Sequence, residues 1–271
     1  MFSKEARFNR IVRDIKSIKI QGARNVARAA LKAYQLIPNK ISKRILLASR
    51  PTEPMMENVL DLAEQNKIPY EEIILHFDLA QEEINKHVFK LIKNNSVIFT
   101  HCHSSNVLKA LIYAHKRGKK FEVYNTETRP LYQGRKTANE LRKAGIKVTM
   151  FVDSAVGIAL GKEQGTKKVS LALLGADALI DSGVINKVGS EVVARIAREE
   201  KIPFYIVADS WKFTKKDMPI EQRKLNEVWD EAPKNIKLKN PAFEFINEKY
   251  ISGIVTEFGI MKYNRFVKEM K

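Results

Sequence analysis

Hydrophobic positions change their spacing part-way along the chain. From residue 4 to about 94 they recur every three or four residues, as in Phe8, Ile11, Val12 and Ile15, then Val26, Ala29, Ala30 and Ala33. That spacing predicts amphipathic helices and almost no strand. Beyond the polar Lys93-Asn94-Asn95 the pattern becomes short apolar runs, SVIFTHC, FEVYNTE, VTMFVDS, VSLALLGAD and IPFYIVADS. Each run but the last is followed by an amphipathic stretch, ending at Ala114, Ala144, a short helix and Glu200 respectively. Continuous Val, Ile, Leu and Phe runs joined by helices are the signature of parallel strands buried on both faces. The expected architecture is therefore α/β: an N-terminal all-helical domain, residues 1–94, followed by a Rossmann-like doubly wound, mainly parallel sheet domain, residues 95–271. No internal repeat and no low-complexity tract interrupts it.

Such a sheet binds ligands in the crevice beyond the carboxyl ends of its strands. The residues predicted at those ends are THCHSS (100–105), TETRP (126–130), VDS (152–154), GAD (175–177) and ADSWKF (208–213). Reactive side chains thus collect on one edge. Cys102 ends the first strand ahead of a helix begun by Ser104 or Ser105, whose free N–H groups would favour a thiolate and make it a base. It reads equally as a small buried residue at a strand end. Asp177 closes the apolar run Leu171 to Ala176, where desolvation would keep a carboxyl protonated as a general acid, or where an aspartate would cap the following turn.

Composition narrows the function classes. A share of 44% apolar residues is enough for a folded core, and 48 Lys and Arg against 31 Asp and Glu give a formal charge of +17. That balance suits phosphate esters, nucleic acid or acidic proteins, or a Lys-rich solvated surface. Nucleic acid is disfavoured, because the basic residues lack interleaved aromatic platforms or a reading helix. Cys102 is the only cysteine, so no intrachain disulfide or multi-thiolate zinc site can form. His101 and His103 share a strand end without further ligands, and His76, His87 and His115 stand without ligand spacing, so no metal is expected. GxGxxG and P-loop patterns are absent, and no cofactor is expected. With no apolar run of about 18 residues, the expectation is a cytoplasmic protein without membrane contact. Candidate phosphate ligands are Arg129, Lys187 beside Asn186, Lys212, and from the helical half Arg24 and Arg50, with an anion nest at Gly22-Ala23-Arg24.

QGARNVAR (21–28), SRPT (49–52) with Asn58, THCHSS, TETRPLYQGRKTANEL, GAD, GVINKVG, SWKF, NPAFEF and TEFGI together resemble one family. It unites regulatory subunits of translation initiation factor 2B with methylthioribose-1-phosphate and ribose-1,5-bisphosphate isomerases. Its enzymes keep the cysteine of HC and the aspartate of GAD, and this chain keeps both; HCHS and PKNIKLKNPAFEF look more like the ribose-bisphosphate enzymes. The resemblance implies Cys102 as proton acceptor and Asp177 as proton donor in an aldose–ketose isomerisation. Gln21, Gly22, Ala23, Arg24, Arg50, Ser104, Ser105, Asn106, Asn186, Lys187 and Lys212 would hold the phosphorylated sugar. It also implies a homo-oligomer, dimer or hexamer, and an activating nucleotide such as AMP. Two departures stand out: Gln21 replaces the usual arginine of Arg-Gly-Ala, and the stretch from Arg50 to Cys102 is shorter than usual. The alternative within the family is a non-catalytic regulatory subunit that binds a nucleotide or sugar phosphate.

Overall fold

Five helices open the chain in the computed structural model, which describes residues 3–65, 68–161 and 165–271. They are α1 (Lys4–Lys16), α2 (Ala23–Leu36), α3 (Lys40–Ser49), α4 (Pro54–Gln65) and α5 (Tyr70–Leu91). Their starts follow local chemistry. Ser3 Oγ accepts from Ala6 N at 3.1 Å and Asn39 Oδ1 from Ser42 N at 2.8 Å, satisfying N–H groups that the first turn leaves free. Proline is tolerated at the first position of α4 because no intrahelical donor is needed there. Ala23, Ala27, Ala30 and Ala33 form a small-residue stripe that lets α2 pack closely on its neighbours.

The second part holds β1 (Ser96–Thr100), α6 (Ser105–Lys116), β2 (Phe121–Thr126), α7 (Gln133–Lys143), β3 (Lys147–Phe151), α8 (Val156–Leu160) and β4 (Leu171–Leu174). Then come β5 (Ala178–Ile180), β6 (Gly183–Lys187), α9 (Ser190–Glu199), β7 (Phe204–Val207), β8 (Phe243–Asn247), β9 (Gly253–Thr256), β10 (Gly259–Met261) and α10 (Tyr263–Met270). Seven strands form one sheet in the order β10-β9-β7-β4-β1-β2-β3, parallel except for β10. The expected doubly wound sheet is present. In one respect the chain differs from the expectation: GAD does not lead directly into a helix. A hairpin, β5–β6, comes first and pairs with β8 in a separate three-stranded antiparallel sheet. Its strands are too short, three and five residues, to stand out from the apolar run before them.

Strand alternation sends Val97 and Phe99 to one face and Ile98 to the other. Phe99 belongs to the core on its face that also holds Leu174, Phe204, Ile206, Ile254 and Phe266. Ile98 belongs to the core on the other face, with Val107, Leu111, Val123, Leu173, Val255 and, from α5, Ile84 and Val88. Helix α5 is thus divided. Ile73 and Phe77 belong to the helical cluster with Ala27, Leu31 and Val59, while the next turns close the sheet's own core. No helix among the described residues is long and apolar enough to cross a membrane.

Candidate active site

The strand order reverses between β1 and β4: the chain leaves β1 for β2 and β3 on one side, then crosses to β4, β7 and β9 on the other. Loops after β1 and β4 therefore part, leaving a crevice at their carboxyl ends. Cys102 follows β1 and Asp177 follows β4, and both line one cavity of about 140 Å³.

Several contacts fix the loop after β1. Cys102 has φ +65°, a left-handed conformation uncommon for a residue with a Cβ. Its N–H donates to Thr128 Oγ1 at 3.0 Å, and its carbonyl accepts from Thr137 Oγ1 at 2.8 Å. Thr128 N in turn donates to Asp153 Oδ1 at 2.8 Å, so the VDS aspartate after β3 anchors the turn that holds the cysteine. Thr137 lies on α7, whose start is locked to β2: a Cβ on Gly134 would collide with the Thr126 carbonyl oxygen, and Asn125 Nδ2 donates to Gly134 O at 2.8 Å. Ser104 caps α6 through Val107 N, and Gly175 lets β4 close on it, since a Cβ there would collide with Ser104 Oγ. The two loops meet at this contact.

Gln21, Gly22, Ala23, Arg50, Ser104, Ser105, Asn186, Lys187 and Lys212 line the same cavity. Arg24, Asn106 and Arg129 lie outside its lining. Arg24 turns to Asp78 of α5 in an ion pair. Asn106 is buried against Gln81, donating to its Oε1 at 3.0 Å. Arg129 donates to Tyr132 Oη at 2.7 Å and to Glu227 O at 3.1 Å. Each is engaged by another group of the protein, although Arg24 Nη1 is buried without a partner, and the strand-end pattern could not reveal these pairings. Conversely, the lining includes Glu53, Gln133, Lys136, Glu221 and Arg223, which sequence reasoning did not select. Glu53 had a faint signal, a charged residue between Pro51 and Pro54. Glu221 and Arg223 had none, since they lie in an irregular stretch.

Electrostatics depart from expectation at the cysteine. Its thiol is pushed up to about 11, because burial outweighs the pull of Lys187, and the nearby Asp177 and Asp153 push the same way. A backbone hydrogen bond from His103 pulls the other way without offsetting the burial. Asp177 is also raised, chiefly by burial, against Lys212, Lys187 and Arg50, as its position after an apolar run predicts. His101 and His103 are both pulled down by burial and so favour the neutral form. Lys212 is buried and donates to Ala176 O at 2.6 Å, and Lys187 is buried beside the Phe243 ring. Buried ammonium groups without a carboxylate hydrogen-bonded to them fit a phosphorylated ligand.

A protonated thiol has a measurable consequence. Alkylation of Cys102 by iodoacetamide, read by mass spectrometry on the lone cysteine, should run about a hundredfold slower near neutral pH than for an ordinary thiol. It should then rise about tenfold per pH unit up to about pH 11. A rate already at its plateau near neutral pH would show that the thiolate is stabilised after all.

A second cluster lies beyond the cavity lining. His76 of α5, Asp209 after β7 and Glu257 after β9 bring ligand atoms within 4.8 Å of one another, a meeting invisible to sequence spacing. Several of their polar atoms are engaged with the protein. His76 Nε2 lies 3.2 Å from Asp209 Oδ1, Trp211 N donates to the same oxygen at 2.9 Å, and Ser210 N donates to Glu257 at 3.1 Å. The His76 ring stacks on Trp211 at 3.5 Å, and Asn58 of α4 donates to the carbonyls of Trp211 and Phe213. These contacts clamp the 210–212 turn that carries Lys212.

A doubly wound sheet roofed by helices, with a thiol, a half-buried acid and two buried lysines lining one cavity at its carboxyl edge, defines a Rossmann-like protein. The chain belongs to the initiation factor 2 subunit family, whose sequence profile matches residues 17–263. It is 35% identical to ribose 1,5-bisphosphate isomerase of Methanocaldococcus jannaschii over 91% of this chain and 89% of that one. It is 30% identical to a translation initiation factor eIF-2B subunit 2-like protein of Pyrococcus furiosus, over 93% and 95%. Among solved structures it resembles a translation initiation factor eIF-2B of Pyrococcus horikoshii, with TM-score 0.83 and 27% identity over 96% of this chain and 98% of that one. The fold is also that of 5-methylthioribose 1-phosphate isomerase from the same organism, with TM-score 0.78 and 24% identity over 97% and 87%.

Proposed function

We propose that the chain is an isomerase of this family that converts α-ribose 1,5-bisphosphate to ribulose 1,5-bisphosphate, with Cys102 as base and Asp177 as acid. The observation that carries this reading is that both groups face one cavity from adjacent strands, with Lys187, Lys212 and Arg50 around them. A regulatory subunit has no chemical need for a thiol and an acid at that place. The relatives named as ribose 1,5-bisphosphate isomerases, similar over nine-tenths of the chain, support the same substrate.

In this mechanism Asp177, acting in its protonated form, which burial favours, gives its proton to the ring oxygen as the bond from that oxygen to the first carbon breaks. Cys102, as thiolate, takes the proton from the second carbon, and the electron pair forms a double bond to the first. Lys187 and Lys212 stabilise the negative charge that develops on the sugar oxygens. The thiol then returns its proton to the first carbon while the second hydroxyl loses its own to Asp177, restoring both groups and leaving a ketone at the second carbon. No electron is gained or lost overall. The raised thiol means that the active thiolate is a minor form of the free protein, populated at the cost of a slower step.

Incubating the purified protein with ribose 1,5-bisphosphate and following the ketose by NMR tests the proposal. The expected result is accumulation of ribulose 1,5-bisphosphate. Absence of turnover, together with capture of a translation initiation factor, would replace it with the regulatory reading.

A further inference from the structure

Glu53 stands in the loop just before α4, and the residue is 3% exposed although it lines the cavity. One oxygen, Oε1, lies 3.4 Å from Arg50 Nε; the other, Oε2, is buried with no hydrogen-bond partner. The titratable and charged groups facing it come from four places: Arg50 in its own loop, Asp177 after β4, Lys212 in the 210–212 turn and Glu221 in the stretch beyond. Arg50 is itself bracketed by acids. Glu221 Oε2 lies 3.5 Å from its Nη2, while Nη1 is buried and unpartnered. Thr52 Oγ1 and Arg223 also hold Glu221 in place.

With both acids ionised, the charge of Arg50 is already neutralised, and a phosphate approaching Nη1 would be brought up against Glu53. Two like charges a few ångströms apart in a dry site repel strongly. A neutral carboxyl reverses this, because its O–H becomes a donor and the unpartnered oxygen gains a use. Burial, the leading influence on Glu53, favours that neutral form and pushes the group up to about 8.

We propose that Glu53 enters the ligand complex as a neutral carboxylic acid that donates its O–H to a phosphate oxygen of the sugar held by Arg50, so that filling the cavity takes up a proton. The inference rests on reading the cavity as a sugar-phosphate site, but not on turnover. The sign follows from linkage: the binding form is the protonated one, so affinity is constant below the ionisation of Glu53 and falls about tenfold per pH unit above it. Phosphate monoesters are already dianions in that range and contribute no proton. The Cys102 thiol ionises higher, at about 11, and both cavity histidines are pulled down, so neither interferes.

Calorimetric titration with ribose 5-phosphate tests it. Between about pH 7 and about pH 9.5 the affinity should fall about thirtyfold, and near pH 8.5 binding should take up about three-quarters of a proton, counted from buffers of different ionisation heat. Glu53→Gln, an amide that keeps a donor and cannot ionise, should bind with no pH dependence across this range and no proton uptake. Glu53→Ala should do the same should the glutamine variant fold poorly by circular dichroism. Asp177→Asn, which retains Glu53, should keep the dependence. Failure to bind at either pH, an unchanged pH profile in both Glu53 variants, or loss of the profile in Asp177→Asn instead would each overturn the proposal. A protein that shows the proton-linked binding but no ketose formation would keep this inference and lose the isomerase reading.

Discussion

Replacing Cys102 by serine should lower turnover of ribose 1,5-bisphosphate by at least about a hundredfold while the sugar still binds. Serine nearly preserves volume and leaves the loop's contacts intact, because the hydrogen bonds to Thr128 and Thr137 use the backbone of residue 102 and not its sulfur. What is lost is the ionisable group. A hydroxyl is far less acidic than even a thiol raised to about 11, so the proton on the second carbon loses its acceptor. Asp177→Asn should have an effect of the same size for a different reason: the amide cannot hand over a proton to the ring oxygen. Steady-state kinetics with parallel binding titrations separate the two steps. Near-normal turnover in Cys102→Ser would make the cysteine a packing residue and move the base elsewhere.

The second large effect concerns stability. Phe99 lies in the central strand β1, fully buried and three residues before Cys102, among Leu174, Phe204, Ile206 and Ile254. Truncation to alanine removes a ring from a core that cannot collapse around the gap, since strands on both sides are held by the ladder. Such changes cost about 3–5 kcal/mol. The melting temperature should fall by roughly 6–20 °C on that scale for a chain somewhat above 250 residues. Differential scanning calorimetry reads it directly, and a shift under about 2 °C would mean that the core repacks. Residual activity below the new midpoint should also drop, because β1 sets the height of the thiol above the sheet.

Phe99 also shows what made the fold legible. Where a strand is buried on both faces its residues are apolar without interruption, and SVIFTHC, FEVYNTE and VSLALLGAD announce themselves for that reason. The same rule located much of the chemistry: the polar residues just after such runs stand at the carboxyl edge, and Cys102, Asp177 and Lys212 line the cavity there. What did not show was anything whose role depends on a partner distant in sequence. Arg24 and Arg129 looked like anion ligands until Asp78, Tyr132 and the Glu227 carbonyl claimed them. Glu53, Glu221 and Arg223 reach the cavity from loops with no periodic pattern, and the His76–Asp209–Glu257 cluster joins three elements. The raised thiol did not show either, because sequence reveals that a helix start is near but not that burial around residue 102 acts against it.

Helix α5 carries a consequence for how such a chain can be recombined. Its first turns belong to the helical cluster and its last turns to the underside of the sheet, through Ile84, Val88 and Ile92. A graft cut at the polar link near residue 94 would therefore install a foreign α5 over a native α6, mismatching the apolar seam between them. Exchange of the helical half between relatives would succeed only with a crossover inside α5, after Phe77 and before Ile84, where the helix passes from one core to the other. The same splice keeps His76 with the incoming half and Asp209 with the resident one, so a working hybrid must also rebuild the clamp on the Lys212 turn.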